Sequence, residues 1–410
     1  MPANWNRCGM CGRPIKAKSN MGKTIKIFLI LLVVLVAYIN RAELLSIIGF
    51  DESASDFISS LMSDDKNLYI SSQNTIEPIA WESEDRSHTP GNIKNEEKAT
   101  PDNGNVYDLI QKALLSTSNN ILIPLGYDSD EVFAAIREIV LNEPEILFYK
   151  SCTYRSDGFL TFKYSKPKDF IKKSQEELQK KANDIISSII KPNMTDFEKE
   201  LAIHDHIINN CKYDIENFEA GTIPPESHSA YGALIEGTAV CEGYAKAMKL
   251  LMDRAGVDSL VVTGQSKTQL HAWNLVKIDG DYYHVDSTWD DPVSENRKQT
   301  LQHTYFNLND EEISVDHYWE IIDYPSCYST KYNYFTYHQQ EVTSPDEFIR
   351  FLIDRVENGE SHISVRIANY TVESYQIPEL IQIAVTELRS NVSYSINEAY
   401  GVVEVWIGTK

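Results

Sequence analysis

The sequence predicts an α+β protein: a core in which a helix-start cysteine packs on an antiparallel sheet, flanked by two small α/β modules. Three observations carry this. Residues 241–256, Cys-Glu-Gly-Tyr-Ala-Lys-Ala-Met-Lys-Leu-Leu-Met-Asp-Arg-Ala-Gly, have the composition of a helix that begins at Cys241 and is stopped by Gly256. Residues 271–278 and 281–289 are strand-like runs joined by Asp279-Gly280, a two-residue hairpin signal. On either side of that core, 106–164 and 345–407 run in one order: helix, strand, helix, strand, strand.

From the N-terminus, residues 1–24 read as a cytoplasmic basic tail. Arg7, Arg13, Lys16, Lys18, Lys23 and Lys26 occur in residues 1–40 with no acid, although the chain carries a net charge of −22. The acidic excess therefore lies wholly in the rest of the chain, which argues against a nucleic-acid partner. Within the tail, Cys8-Gly-Met-Cys11 is half of a zinc knuckle. Tetrahedral zinc needs two more ligands and no second pair is nearby, so a second chain would supply them; a reducible dithiol or a metal-free vestige are the alternatives.

Residues 25–40 are apolar but for Lys26 and the final Asn40, with Tyr38 suited to an interface and Glu43, Asp51, Glu52 and Asp56 beyond. This pattern predicts a single-pass anchor in the cell membrane, N-terminus inside and the body extracytoplasmic. A cleaved signal peptide is the rival, although Asn40-Arg41-Ala42 is a poor cleavage site, and a buried core helix is the remaining alternative. Residues 41–105, rich in Ser, Asn, Asp and Glu and broken by Pro78, Pro90-Gly91 and Pro101, read as a flexible spacer.

The N-terminal α/β module, 106–167, is expected to hold helices at 106–116 and 130–141, a strand at 121–125, and a hairpin of 146–154 with 158–164. In the central region, 168–335, two helices are expected at 172–191 and 195–211, the second capped within 196–199. His204-Asp205-His206 lies in the second; positions i and i+2 do not share a helix face, so the pair reads as satisfied or solvated and not as a metal site. The C-terminal module, 336–410, is expected to hold helices at 345–356 and 378–388 and strands at 362–367, 392–396 and 402–407. Its residues do not align with those of the first module, so the shared pattern is not a duplication. Cys152, Cys211 and Cys327 are scattered and odd in number, and give no disulfide framework.

The chemistry follows from the centre. A thiol at a helix start faces unpaired N–H groups and the positive end of the helix dipole, which favours thiolate. With a two-residue turn at 279–280, Ile278 opposes Asp281 and Trp273 opposes Asp286. Alternation then places His271, Trp273, Leu275, His284, Asp286 and Thr288 on one face, with His271 and Asp286 diagonal neighbours. Cysteine, histidine and aspartate are the parts of a thiol acyl-transfer site. Exchange of Asp286 for asparagine is expected to be milder than loss of His271, because an orienting hydrogen bond survives.

The segment from about 168 to 319 resembles the transglutaminase-like superfamily. Residues 199–214 (Lys-Glu-Leu-Ala-Ile-His-Asp-His-Ile-Ile-Asn-Asn-Cys-Lys-Tyr-Asp) are similar to the helix preceding the nucleophile in bacterial members. Ser229-Ala-Tyr-Gly-Ala-Leu-Ile-Glu-Gly-Thr-Ala-Val-Cys241-Glu-Gly-Tyr-Ala is similar to their nucleophile motif. The resemblance implies a papain/transglutaminase-like core in which Cys241 is the nucleophile, His271 the general base and acid, and Asp286 the group that orients the imidazole. Glu242 and Gly243 depart from animal transglutaminases, which have an aromatic residue beside the cysteine, and no calcium-loop pattern is present.

The expected function is extracytoplasmic acyl chemistry on a peptide or protein amide, for instance of the cell envelope, by hydrolysis or by transfer to an amine. It requires no metal or organic cofactor. A surface-anchored scaffold that keeps the fold without turnover, and a membrane-tethered sensor reporting through Cys8 and Cys11, are the competing readings.

Overall fold

Residues 80–81, 106–267, 269–292, 301–388 and 391–408 are those the computed structural model describes, and all lie within the unit Ile76–Lys410. The basic tail with Cys8 and Cys11, the apolar run 25–40 and nearly all of the spacer lie outside them. Among the described residues no helix is long and apolar enough to cross a membrane.

In the N-terminal region, β1 (Ala80–Trp81), β2 (Asn120–Leu122), β3 (Tyr149–Tyr154) and β4 (Phe159–Tyr164) form a sheet in the order β1-β3-β4-β2. Helices Val106–Leu115 and Ser129–Asn142 bury Ile110, Leu114, Val132, Ile136 and Ile139 together with Leu160 of β4. Asp128 caps the second helix by accepting from the Glu131 amide at 2.9 Å. The strand expected over 121–125 stops at Leu122; Pro124 has no N–H to give a ladder.

The central region begins with helices Lys168–Ile189 and Asp196–Asn210. The second is capped by Thr195, one residue before the expected cap, in a reciprocal box with Glu198. β5 (Lys212–Tyr213) and β6 (Thr238–Ala239) pair in parallel and lead the chain to the helix Cys241–Ala255. Gly256 ends that helix at φ 73°, a left-handed conformation that glycine adopts without strain.

The helix lies against a five-stranded sheet of β7 (Ser259–Ser266), β8 (Gln269–Ile278), β9 (Asp281–Val285), β10 (Phe306–Leu308) and β11 (His317–Tyr318), ordered β10-β9-β8-β7-β11. All pairings in it are antiparallel. Ala245 of the helix packs on Val261 of β7 and Ala272 of β8, and the small side chains let helix and sheet approach closely. β8 and β9 pair Ile278 with Asp281 and Asn274 with Val285, the register a two-residue loop requires. Asp279 and Gly280 both have positive φ, 51° and 96°, as the mirror-image hairpin turn demands.

The second strand is shorter than expected, ending at Val285. Beyond it the backbone turns back on Asp286, whose carboxylate accepts from the amides of Thr288 and Trp289.

In the C-terminal region β12 (Glu341–Val342), β13 (His362–Ile367), β14 (Asn391–Asn397) and β15 (Val402–Gly408) are ordered β12-β13-β15-β14, with helices Pro345–Glu357 and Ile377–Leu388 between strands. Phe348, Leu352, Val365, Val403 and Val405 form its core. The helix-strand-helix-strand-strand order recurs, and in each module the last strand lies between the other two. The added parallel edge strand differs: β1 pairs with the second strand of the first module, β12 with the first strand of the other.

Candidate active site

Each residue of the Cys241-Glu-Gly-Tyr-Ala run has a structural reason. Val240 is the N-cap and offers no side-chain acceptor, and among the described residues no acceptor meets the amides of Cys241, Glu242 or Gly243. These are the orphan donors of a helix start, available to an anion. The Glu242 carboxylate receives Lys246 Nζ at 2.7 Å and faces His228 Nδ1 at 3.2 Å. Burial works against its charge, but Lys246 and His228 overcome it and hold the carboxyl down at about 2. A Cβ on Gly243 would stand 2.5 Å from the Ser227 carbonyl oxygen, so only glycine lets the first turn approach the 225–229 loop. Tyr244 is fully buried and donates to Asp291 at 2.6 Å. The Ala245 carbonyl accepts from Asn274 Nδ2 at 3.0 Å, tying the helix to β8.

His271 and Asp286 meet just beyond the paired part of the hairpin, which ends at Asn274 and Val285, with Nε2 2.6 Å from Oδ2. The Cys241 thiol lies close enough to the imidazole to add to the shift of its titration. With Nε2 committed to Asp286, Nδ1 is the nitrogen left for the thiol. Burial alone would disfavour a charged imidazole, yet the Asp286 carboxylate and Cys241 together raise it to about 10. Burial likewise opposes the charge on Asp286, but His271 and His317 hold its carboxyl well below the usual range.

The sign of the linkage follows. A raised imidazole contributes stability that is complete below its unfolded value, about 6.5, and is lost as pH rises through about 10. A depressed carboxyl contributes above its unfolded value, about 3.9, and loses this as pH falls through the folded one. The urea midpoint of His271→Ala is therefore expected to fall furthest below wild type near pH 6, with the gap narrowing toward pH 10.

Asp286 has four donors. Oδ2 faces His271 and also His317 Nε2 at 3.0 Å; Oδ1 accepts from the Thr288 amide at 2.9 Å and the Trp289 amide at 3.2 Å. His284, on the same face of the hairpin, is neutral by its partners. Trp273 Nε1 can only donate, so His284 Nδ1 accepts at 2.9 Å and Nε2 carries the hydrogen toward Asp310 Oδ1, also at 2.9 Å. Trp289 is half-buried, its ring edge-on to His271 at 6.3 Å and covered by Lys267 Nζ at 4.2 Å. Tyr213 is buried and packs edge-on against Phe218 at 5.8 Å.

His204 and His206 diverge as the helical spacing requires. His204 is fully buried between Asp205 at 3.1 Å and Asp290 at 3.2 Å, while His206 is half-buried beside Asn210. His303 joins Asp205 from a distant segment at 2.9 Å. Three groups among the described residues bring donor atoms within 4.8 Å of one another: His204-Asp205-His303, His271-Asp286-His317 and His284-Asp310-Cys327. In the first two, hydrogen bonds link all three residues directly; in the third, His284 bonds Asp310, and Asp310 accepts from the Cys327 amide at 3.1 Å. Cys152, Cys211 and Cys327 are buried free thiols, and burial pushes each upward.

His317 and Asp316 escape the sequence reading. β11 joins the site by pairing with β7, neither strand was expected, and nothing in local spacing connects residue 317 with residue 271.

Part of the chain is similar to known proteins. Residues 183–287 match the profile of the Transglutaminase-like superfamily. Kyphoscoliosis peptidase of Mus musculus and that of Homo sapiens are each 28% identical over 128 residues, covering 28% of this chain and 19% of theirs. The chain thus spans under a fifth of the length of these curated relatives. Among solved structures, a candidate cysteine protease from Cytophaga hutchinsonii is 24% identical over 28% of this chain and 37% of its own, with a TM-score of 0.22. A TGase is 14% identical over 41% of this chain and 50% of its own, with a TM-score of 0.25. Residues 183–287, which hold Cys241, His271 and Asp286, are a transglutaminase-like domain.

Proposed function

We propose that the protein carries out thiol-dependent acyl chemistry on a peptide or protein amide, with Cys241 as nucleophile, His271 as proton carrier and Asp286 as its orienting group. The observation that carries this is the 2.6 Å contact of His271 Nε2 with Asp286, with Cys241, at a helix start, as the imidazole's other partner. The Cys241 sulfur adds to the amide carbonyl carbon, and the oxygen of the tetrahedral intermediate is received by the Cys241 amide N–H. Collapse breaks the C–N bond, and His271 passes its proton to the departing amine, leaving an acyl group on Cys241. Water or a second amine, deprotonated by His271, then releases the acyl group and the thiol. On the anchor reading of residues 25–40, this chemistry takes place outside the cell membrane.

The test is incubation of the full chain with casein and a fluorescent primary amine, followed by gel and mass analysis. Amine incorporation identifies a transferase and casein cleavage a hydrolase, and either must vanish in Cys241→Ser. Neither product, with Cys241 unmodified, would leave the scaffold reading in place of this one.

A further inference from the structure

Asp286 is held from two sides by imidazoles, and only one of them belongs to the triad. His317 is fully buried, with Nε2 3.0 Å from the same Asp286 oxygen that His271 uses and Nδ1 2.7 Å from Asp316 Oδ1. His271 and His317 hold Asp286, and His317, Tyr400 and Tyr305 hold Asp316, below the usual carboxylate range against their burial, so both are acceptors only. An imidazole with a carboxylate facing each nitrogen is held at both ends, and cannot turn over without losing a bond. Asp316 is fixed in turn. Tyr305 donates to Oδ2 at 2.8 Å and Tyr400 to Oδ1 at 2.8 Å, while its backbone carbonyl accepts from the Lys267 amide and Ser266 Oγ beside β7. Tyr400 lies in the turn between β14 and β15, so a hydroxyl of the C-terminal module ends a continuous path to the catalytic pair.

We propose that His317 is a positioning residue of this site, held by Asp316 and through it by Tyr305 and Tyr400, so that the C-terminal module takes part in fixing Asp286 against His271. The inference rests on the reading of Cys241, His271 and Asp286 as a reactive unit. The groups facing His317 are the carboxylates of Asp286 and Asp316, the imidazole of His271, and the rings of Trp273, Trp289 and Tyr305; the His284 imidazole is a further electrostatic neighbour. Removing the His317 ring takes one hydrogen-bond partner from Asp286 and leaves its carboxylate freer to rotate and more attractive to the His271 proton.

The test follows iodoacetamide alkylation of Cys241 in the full chain across a pH series, read on the Cys241 peptide by mass spectrometry. His317→Leu is expected to slow alkylation by about tenfold or more and to move the alkaline limb of the profile upward. His317→Gln, which keeps an N–H for Asp286, is expected to recover much of the rate. Tyr400→Phe, which removes one hydroxyl and little volume, is expected to slow it severalfold with an unchanged unfolding transition. The proposal is overturned if His271→Ala slows alkylation while His317→Leu and Tyr400→Phe react like wild type. It is overturned equally if the His317 variants lose rate only in proportion to their unfolded fraction, with the profile unmoved. If His271→Ala itself alkylates like wild type, the reading beneath it falls, and the proposal with it.

Discussion

Exchange of His271 for alanine is expected to lower turnover by about three orders of magnitude while the fold persists. The ring sits where three demands meet. It must take the Cys241 proton, hand it to the leaving amine, and remain aligned while doing both. Its 2.6 Å bond to Asp286 and its contact with Cys241 meet all three, and alanine meets none. The fold should persist because β8 is a central strand of its sheet, held by β7 on one side and β9 on the other. His317, 3.0 Å from Asp286, remains as a hydrogen-bond partner for the carboxylate that His271 leaves behind. Amine incorporation into casein, or its cleavage, measured beside the urea transition, separates loss of chemistry from loss of structure.

Exchange of Asp286 for asparagine is expected to cost nearly as much, with turnover within about tenfold of His271→Ala. Sequence spacing suggests a milder outcome, since an amide oxygen can still receive one imidazole. The structure removes that route because all four contacts to Asp286 come from donors: His271, His317, and the amides of Thr288 and Trp289. An amide has one acceptor oxygen. Pointed at the imidazoles, it turns its NH2 group on two backbone N–H groups; reversed, it turns the NH2 group on two rings. Either orientation buries opposed donors, at about 1–3 kcal/mol of stability, and the second favours the wrong tautomer of His271. Turnover together with the urea midpoint checks both halves.

The contact of His271 with Asp286 was legible in the sequence because it depends on local arithmetic. Asp279-Gly280 sets a two-residue loop, the loop sets the register, and the register brings residues 271 and 286 together. Cys241 was legible because its helix has a composition, a start and a glycine stop of its own. The order of helices and strands along the flanking modules was legible for the same reason: each element is short, periodic and bounded by turn residues. Non-local structure was not. β7 reads Ser-Leu-Val-Val-Thr-Gly-Gln-Ser, a run without clear alternation, and β11 is two residues long, so neither announces itself. Their pairing is what carries Asp316 and His317 to the site. The contacts of His204 with Asp290, and of Tyr244 with Asp291, were likewise hidden, being 86 and 47 residues apart in sequence. The sequence Trp289-Asp290-Asp291 therefore pins two helices to the end of the hairpin, a task that neither charge nor composition reveals.

The most direct test of the account is nitrogen-15 NMR of the His271 imidazole in wild type and Cys241→Ser. If Cys241, His271 and Asp286 share one proton system, the wild-type ring stays doubly protonated through neutral pH and releases its proton near 10, and Cys241→Ser moves that release downward. A ring already neutral at pH 7, or one whose titration ignores the loss of the thiol, would contradict it.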